Sequence, residues 1–262
     1  MTIMDGKTIG LALSAGGARG FAHLGVVRAL IDNGIRFDIV AGTSAGSFVG
    51  AALASGMAVG DILRIGRRVS WFNMTGLSYS PRALLSNVAM GSFIRQNFSA
   101  ERIEDLPVRY AAVACDINSG EEVVLDRGDV AFAVRSSCAV PGVFTPVISE
   151  DGRMLIDGGV LNPLPANVVK AMGADMVIGV DVLACGASFR NTPKTALGML
   201  FQSAMIVFRT ASQNQQYRGD IVIEPQIAHI RLDELGKREE LIELGEQAAL
   251  EMIDEIKAMI EK

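Results

Sequence analysis

Three short stretches of this chain carry residue types suited to acyl transfer. Ser44 stands in Gly42-Thr43-Ser44-Ala45-Gly46, directly after the apolar run Phe37–Ala41. A serine between two glycines, after a strand and before a helix, sits at a turn too tight for bulky neighbours. Such a turn lifts the hydroxyl clear of the backbone and sets it at the positive end of the helix. A serine hydroxyl is a poor nucleophile at neutral pH, so it needs a base and a set of donors for the oxyanion that forms. Gly16, Gly17 and Ala18 are the candidate donors, because backbone without bulky side chains lets N–H groups converge on one oxygen. Asp157, delivered by the short run Arg153–Ile156 into the turn Gly158-Gly159, is the candidate base. Together these stretches read as a serine hydrolase.

Other readings of the same residues stay open at this level. The chain has two histidines, His23 and His229, and the order Ser44, Asp157, His229 is that of a Ser–Asp–His triad esterase. An aspartate acting alone must hydrogen-bond the serine directly in a partly dry site. Ala15, Gly17 and Gly20 nearly reproduce a dinucleotide loop. The first glycine is missing, however, and Asp38 opens the second strand, away from the strand end where it would meet a ribose. Arg19 either braces the loop or meets an anionic head group.

The elements that must position these residues follow from periodicity. Thr8–Ser14 and Phe37–Ala41 read as buried strands, Phe21–Asn33 and Ala45 to about Ser55 as helices, an alternation that argues for a mostly parallel sheet covered on both faces. Further strands are expected at Val108–Cys115, Glu122–Leu125, Val143–Ile148, Met154–Ile156, Met176–Val182 and Ile221–Glu224. Helices are expected at Val130–Ser137, Thr195–Tyr217 and Asp233–Lys262. Asp61–Phe98 mixes arginines with Trp71, Phe72, Met74 and Tyr79 and reads as helical excursions over the active face, a lid or acyl-chain wall, or else an ordinary helical layer. Ile39–Gly60 carries no charge, but its five glycines and four hydroxyl residues point to strand, turn and core helix in place of a membrane span.

Composition narrows the class. Half of the 262 residues are apolar, and the net charge of −5 has no basic block behind it, which argues against nucleic acid as a partner. Cys115, Cys138 and Cys185 are odd in number and widely spaced, as expected of reduced thiols in a cytoplasmic protein. No secretory signal is read in Met1–Lys7. The apolar stretch Thr195–Phe208 could serve a homo-oligomer or a membrane surface.

Gly16-Gly17-Ala18-Arg19-Gly20, Gly42-Thr43-Ser44-Ala45-Gly46 and Asp157-Gly158-Gly159 resemble the three signatures of patatin-like phospholipases, in that family's order. Ser136–Pro146 resembles the family's small-residue-then-proline segment. The resemblance implies a three-layer α/β/α fold with a mostly parallel central sheet. It further implies a single domain over 1–262, with a motif-bearing core over about 8–225 and a terminal helix over about 233–262. By position it makes Ser44 the nucleophile, Asp157 the base and Gly16, Gly17 and Ala18 the oxyanion donors, with Arg19, Gly42, Gly46, Gly158 and Gly159 in support. The activity implied is acyl-ester hydrolysis on lipids by a Ser–Asp dyad, without metal or cofactor and with transient contact at the inner face of a membrane. A regulatory relative with a vestigial site is the other expectation.

Overall fold

A computed structural model describes residues 6–184 and 195–262. β1 (Ile9–Leu13) leads through a 3-10 turn, Gly17–Gly20, into α1 (Phe21–Asp32), and β2 (Ile39–Thr43) leads through Ser44 into α2 (Ala45–Ala54). Next come α3 (Val59–Arg68), α4 (Trp71–Met74), β3 (Gly76–Leu77), β4 (Ala83–Ser86) and α5 (Val88–Asn97). The chain then forms β5 (Arg109–Asp116), β6 (Glu121–Leu125), α6 (Val130–Ser137), β7 (Gly142–Phe144), β8 (Val147–Ile148) and β9 (Met154–Asp157). It finishes with α7 (Ala166–Ala171), β10 (Met176–Val180), α8 (Ala196–Gln213), β11 (Ile221–Ile223), α9 (Arg238–Leu250) and α10 (Ile253–Ile260).

The main sheet runs β11-β10-β1-β2-β5-β9-β8, with β6 on β5. Its first five strands are parallel, and β6, β8 and β9 join antiparallel. Alternation along each strand divides the core. Leu11, Leu13, Val40, Tyr110, Ile178 and Val180 face a layer that includes α1, α2 and α9. Ala12, Ala41, Ala111 and Val113 face α7 through Val168 and Val169. Helices therefore cover both faces, and small residues on the second face let α7 lie close.

On the first face α1 and α9 touch backbone to backbone. A Cβ on Gly25 would lie 1.9 Å from the Ile242 carbonyl oxygen, and one on Gly245 would lie 2.1 Å from that of Ala22. The two glycines face opposite helices, so neither helix can yield for the other.

The mostly parallel sheet matches the sequence reading, and several element boundaries do not. The run 143–148 is two strands, parted at Thr145-Pro146: β7 pairs parallel with β4 in a small sheet β3-β4-β7, and β8 pairs with β9. Proline lacks the N–H that an unbroken ladder would need. The expected terminal helix is two, parted by a turn at Glu251-Met252, and 61–98 holds the hairpin β3-β4 between its helices. The short α7 has no counterpart in the reading; six residues are too few to show a period. No helix among the described residues is long and apolar enough to cross a membrane. Cys115 and Cys138 are buried free thiols, and Cys185 lies outside the described residues.

Candidate active site

Ser44 is the only non-glycine residue with positive φ among the described residues, at φ 54° and ψ −124°. The turn is enforced from both sides. A Cβ on Gly42 would come 2.3 Å from the Gly46 carbonyl oxygen, and one on Gly46 would come 2.2 Å from that of Leu13. These glycines exist because strand, turn and helix stack without room for side chains. The Ser44 N–H donates to Ser137 Oγ at 2.8 Å, whose hydroxyl donates to the Val113 carbonyl at 2.6 Å. The elbow is thereby tied to β5 through the last residue of α6.

The sheet register brings Asp157 to the same place. Thr43 is paired with Val113 and Asp157 with Ala114, the next residue of β5. Because β6 occupies the opposite edge along 112–116, β2 and β9 share one edge of β5 and meet end to end. The strand ends thus converge, and Ser44 and Asp157 are the residues at their tips. Gly158 permits this junction, since a Cβ there would lie 2.4 Å from the Val113 carbonyl oxygen. The Thr43 hydroxyl, donating to the Asn162 carbonyl at 2.8 Å, ties β2 to the turn that follows Asp157.

Asp157 is fully buried, and burial pushes its carboxyl up to about 7; the Ser44 hydroxyl and the Gly159 N–H both pull in the other direction. Oδ1 accepts the Gly159 N–H at 2.8 Å, while Oδ2 has no hydrogen-bond partner of full geometry. Ser44 is therefore close enough to favour the charged carboxylate without a tight bond to it, as is common in catalytic pairs before substrate arrives. Cys138 packs beside both groups; burial first, and then the Asp157 charge, raise its thiol well above the ordinary range and keep it protonated.

The glycine loop is held from the far end of the chain. Gly17 takes positive φ (55°), and the Ala18 N–H donates to the Leu232 carbonyl at 2.8 Å. Arg19 is buried, and its guanidinium donates to the carbonyls of Ile230, Val182 and Ala228. Buried Arg19 braces the loop and offers no exposed site to a head group. The Ala18 N–H, taken by Leu232, is not free to meet an oxyanion, which corrects that part of the sequence reading. No acceptor among the described residues takes the Gly17 or Ala45 N–H, and both residues line the cavity beside Ser44.

That cavity, of about 150 Å³, is lined by Ser44 and Cys138 and by apolar side chains such as Leu24, Phe48, Ile62, Val69, Met74 and Met205, with no charged residue among its lining. Part of 61–98 is therefore a wall of the cavity. Neither histidine lines it. His23 is buried and neutral, lowered to about 4 mainly by burial, with its Nε2 donating to the Ser14 carbonyl at 2.8 Å. His229 is exposed and pairs with Glu240. Sequence reasoning met Ser137 only within the Ser136–Pro146 segment, with no role of its own, and gave no part to Asn162. Their signal is weak, because one serine closing a helix and one asparagine before a proline carry no spacing rule.

The fold and the site define a three-layer α/β protein with a serine at a strand-to-helix elbow and a buried aspartate beside it. The patatin-like phospholipase family model matches residues 11–170. The chain is 39% identical over 189 residues to patatin-like phospholipase domain-containing protein 7 of Rattus norvegicus, covering 69% of this chain and 14% of that one. It is 37% identical over 179 residues to an uncharacterized NTE family protein of Mycobacterium bovis, covering 68% and 30%. Among solved structures, VipD from Legionella pneumophila aligns with a TM-score of 0.65 at 16% identity, over 95% of this chain and 67% of that one, a likeness of fold. The chain belongs to the patatin-like phospholipase family. It spans under a third of the length of these two curated relatives.

Proposed function

We propose that the protein is a serine hydrolase of lipid acyl esters, of phospholipase A or lysophospholipase type, working through Ser44 and Asp157. The end-to-end meeting of β2 and β9 on one edge of β5 carries this reading, because it places a strained serine beside a buried, desolvated carboxylate. Asp157 accepts the Ser44 proton as the hydroxyl oxygen attacks the ester carbonyl. The Gly17 and Ala45 N–H groups, with the positive end of α2, stabilise the oxyanion. Collapse expels the alcohol, which takes the proton from Asp157, and leaves an acyl-serine. Water, deprotonated by the same carboxylate, then releases the fatty acid. The scheme uses no metal or cofactor, and the reduced Cys115 and Cys138 fit a cytoplasmic site of action.

The apolar cavity sets the specificity expected. With p-nitrophenyl esters, kcat/KM should rise by about fourfold per added methylene until the cavity is filled, following about 0.8 kcal/mol per buried CH₂. The same series run on Ser44→Ala tests the whole reading, since turnover that survives the change would overturn it. His229→Ala should keep near-normal activity, because His229 lies outside the cavity and pairs with Glu240. Loss of turnover with an unchanged melting temperature would restore the triad.

A further inference from the structure

The chain is acidic overall, yet its acids are unevenly placed. Residues 62–100 contain Arg64, Arg67, Arg68, Arg82 and Arg95 and no Asp or Glu. Residues 182–219 contain Arg190, Lys194, Arg209 and Arg218, again with no Asp or Glu. All 29 acids of the chain lie outside these two segments. Both segments contribute to the cavity beside Ser44: Val69 and Met74 line it from the first, Met205 from the second.

The same two segments expose apolar side chains to solvent. Phe72 and Tyr79 are each 97% exposed and Leu77 is 79% exposed, in the stretch that follows the cavity wall of α3. On α8, Met199, Leu200, Ile206 and Val207 are exposed while Met205 and Phe208 of the same helix are buried. The two sets are neighbours. Leu85 of β4 and Ala204 of α8 pack on one cluster with Val140, Val143 and Phe144, and Leu77 pairs with Leu85. Leu200 lies against Gly142 at the start of β7, the strand that pairs with β4. Arg68 and Arg82 flank this surface exposed, and neither meets an acid among the described residues.

The geometry points to a docking face for an anionic lipid bilayer. Phe72, Leu77, Tyr79 and the exposed side of α8 would enter the acyl region, and Arg68 and Arg82 would meet lipid phosphates. Arg64, Arg67 and Arg95 are paired with Asp61, Glu239 and Asp129, which leaves Arg68 and Arg82 for lipid. Aromatic and aliphatic side chains gain by leaving water at such a boundary, and these two arginines gain from its negative surface potential. A second copy of this chain would bring the unpaired Arg68 and Arg82 of both copies toward one another on a twofold contact, a like-charge opposition that a bilayer does not present. Continuity of the face with the cavity lets an acyl chain pass from bilayer to Ser44 without crossing water. The inference leans on the proposed function for the purpose of docking, but the docking itself is read without turnover.

The test is co-sedimentation of Ser44→Ala protein with phosphatidylcholine vesicles and with vesicles holding 30% phosphatidylglycerol (about that share, to give a negative potential). Binding to the anionic vesicles should exceed binding to the neutral ones and weaken as salt rises. Phe72→Ser with Tyr79→Ser should lower it at least about tenfold. Arg68→Gln with Arg82→Gln should lower it by about fivefold for each arginine. In the Ser44→Ala background, both double variants should keep the parent's far-ultraviolet circular dichroism and melting temperature, and with Ser44 restored they should hydrolyse a short soluble ester at the unaltered rate. Failure of the Ser44→Ala parent to bind, equal binding to both vesicles, or unchanged binding by both double variants overturns the inference. So does a dimer of the parent in solution that the Phe72 and Tyr79 changes dissolve, which would assign the face to a second copy. Absence of ester turnover with intact vesicle binding would sink the proposed function and leave the docking face standing.

Discussion

Asp157→Asn will lose at least about a thousandfold in kcat on any ester the protein turns over, and the variant will be more stable than the parent at pH 8. Both effects come from one carboxylate. With its charged form disfavoured by burial and its titration pushed up to about 7, Asp157 holds a proton more tightly folded than unfolded. Folding therefore gains from Asp157 at low pH and loses that gain as pH rises from the unfolded value near 4 through 7. At pH 8 the buried charge costs on the order of 4 kcal/mol. Asparagine keeps an oxygen for the Gly159 N–H and places its amide where Oδ2 has no partner, so part of the penalty is lifted. We expect a melting temperature higher by about 5 °C at pH 8, with the difference shrinking as pH falls toward 4. His23 titrates in the opposite sense, costing stability as pH falls from about 6.5 toward 4. It is common to both proteins and cancels in the difference. The wild-type pH–rate curve should rise with one-proton slope through about 7. An Asp157→Asn protein retaining a tenth of parental turnover would remove Asp157 from the chemistry.

Gly25→Ala and Gly245→Ala will each destabilise the protein severely, although neither touches the site. The added methyl would meet backbone carbonyl oxygen at 1.9 Å or 2.1 Å, and backbone in a helix cannot step aside as a side chain does. Overpacking ordinarily costs about 1–3 kcal/mol, and more where the obstacle is rigid. A drop on the order of 10 °C in melting temperature follows for a chain of this size, read by circular dichroism. Gly60→Ala, where a Cβ would meet nothing within 4 Å, is the control and should leave the melt unchanged or slightly raised.

Much of this is legible in the amino-acid sequence. The Ser44 pentapeptide gave its own elbow because only glycine fits at 42 and 46, and the alternating burial of Leu11, Ala12 and Leu13 follows from strand periodicity. What the sequence could not state was adjacency. Nothing in residues 153–157 says that β9 ends against Ala114, one step beyond the partner of Thr43, since pairing register is a property of two distant strands. The proposed oxyanion donors were legible only as a group of small residues. That Ala18 is taken by Leu232 depends on a carbonyl more than two hundred residues away. The hairpin β3-β4 escaped because its strands are two and four residues long, too short for any period to show.

The braces of the glycine loop bear on the order of synthesis. Residues 16–44 are made before the groups that hold the loop, Val182, Ala228, Ile230 and Leu232, and α9, which locks α1 from behind, follows these. Between the synthesis of Ser44 and that of Leu232 a nascent chain thus carries the serine without a braced loop beside it. The arrangement proposed for ester cleavage is complete only once residues 228–250 have packed over α1.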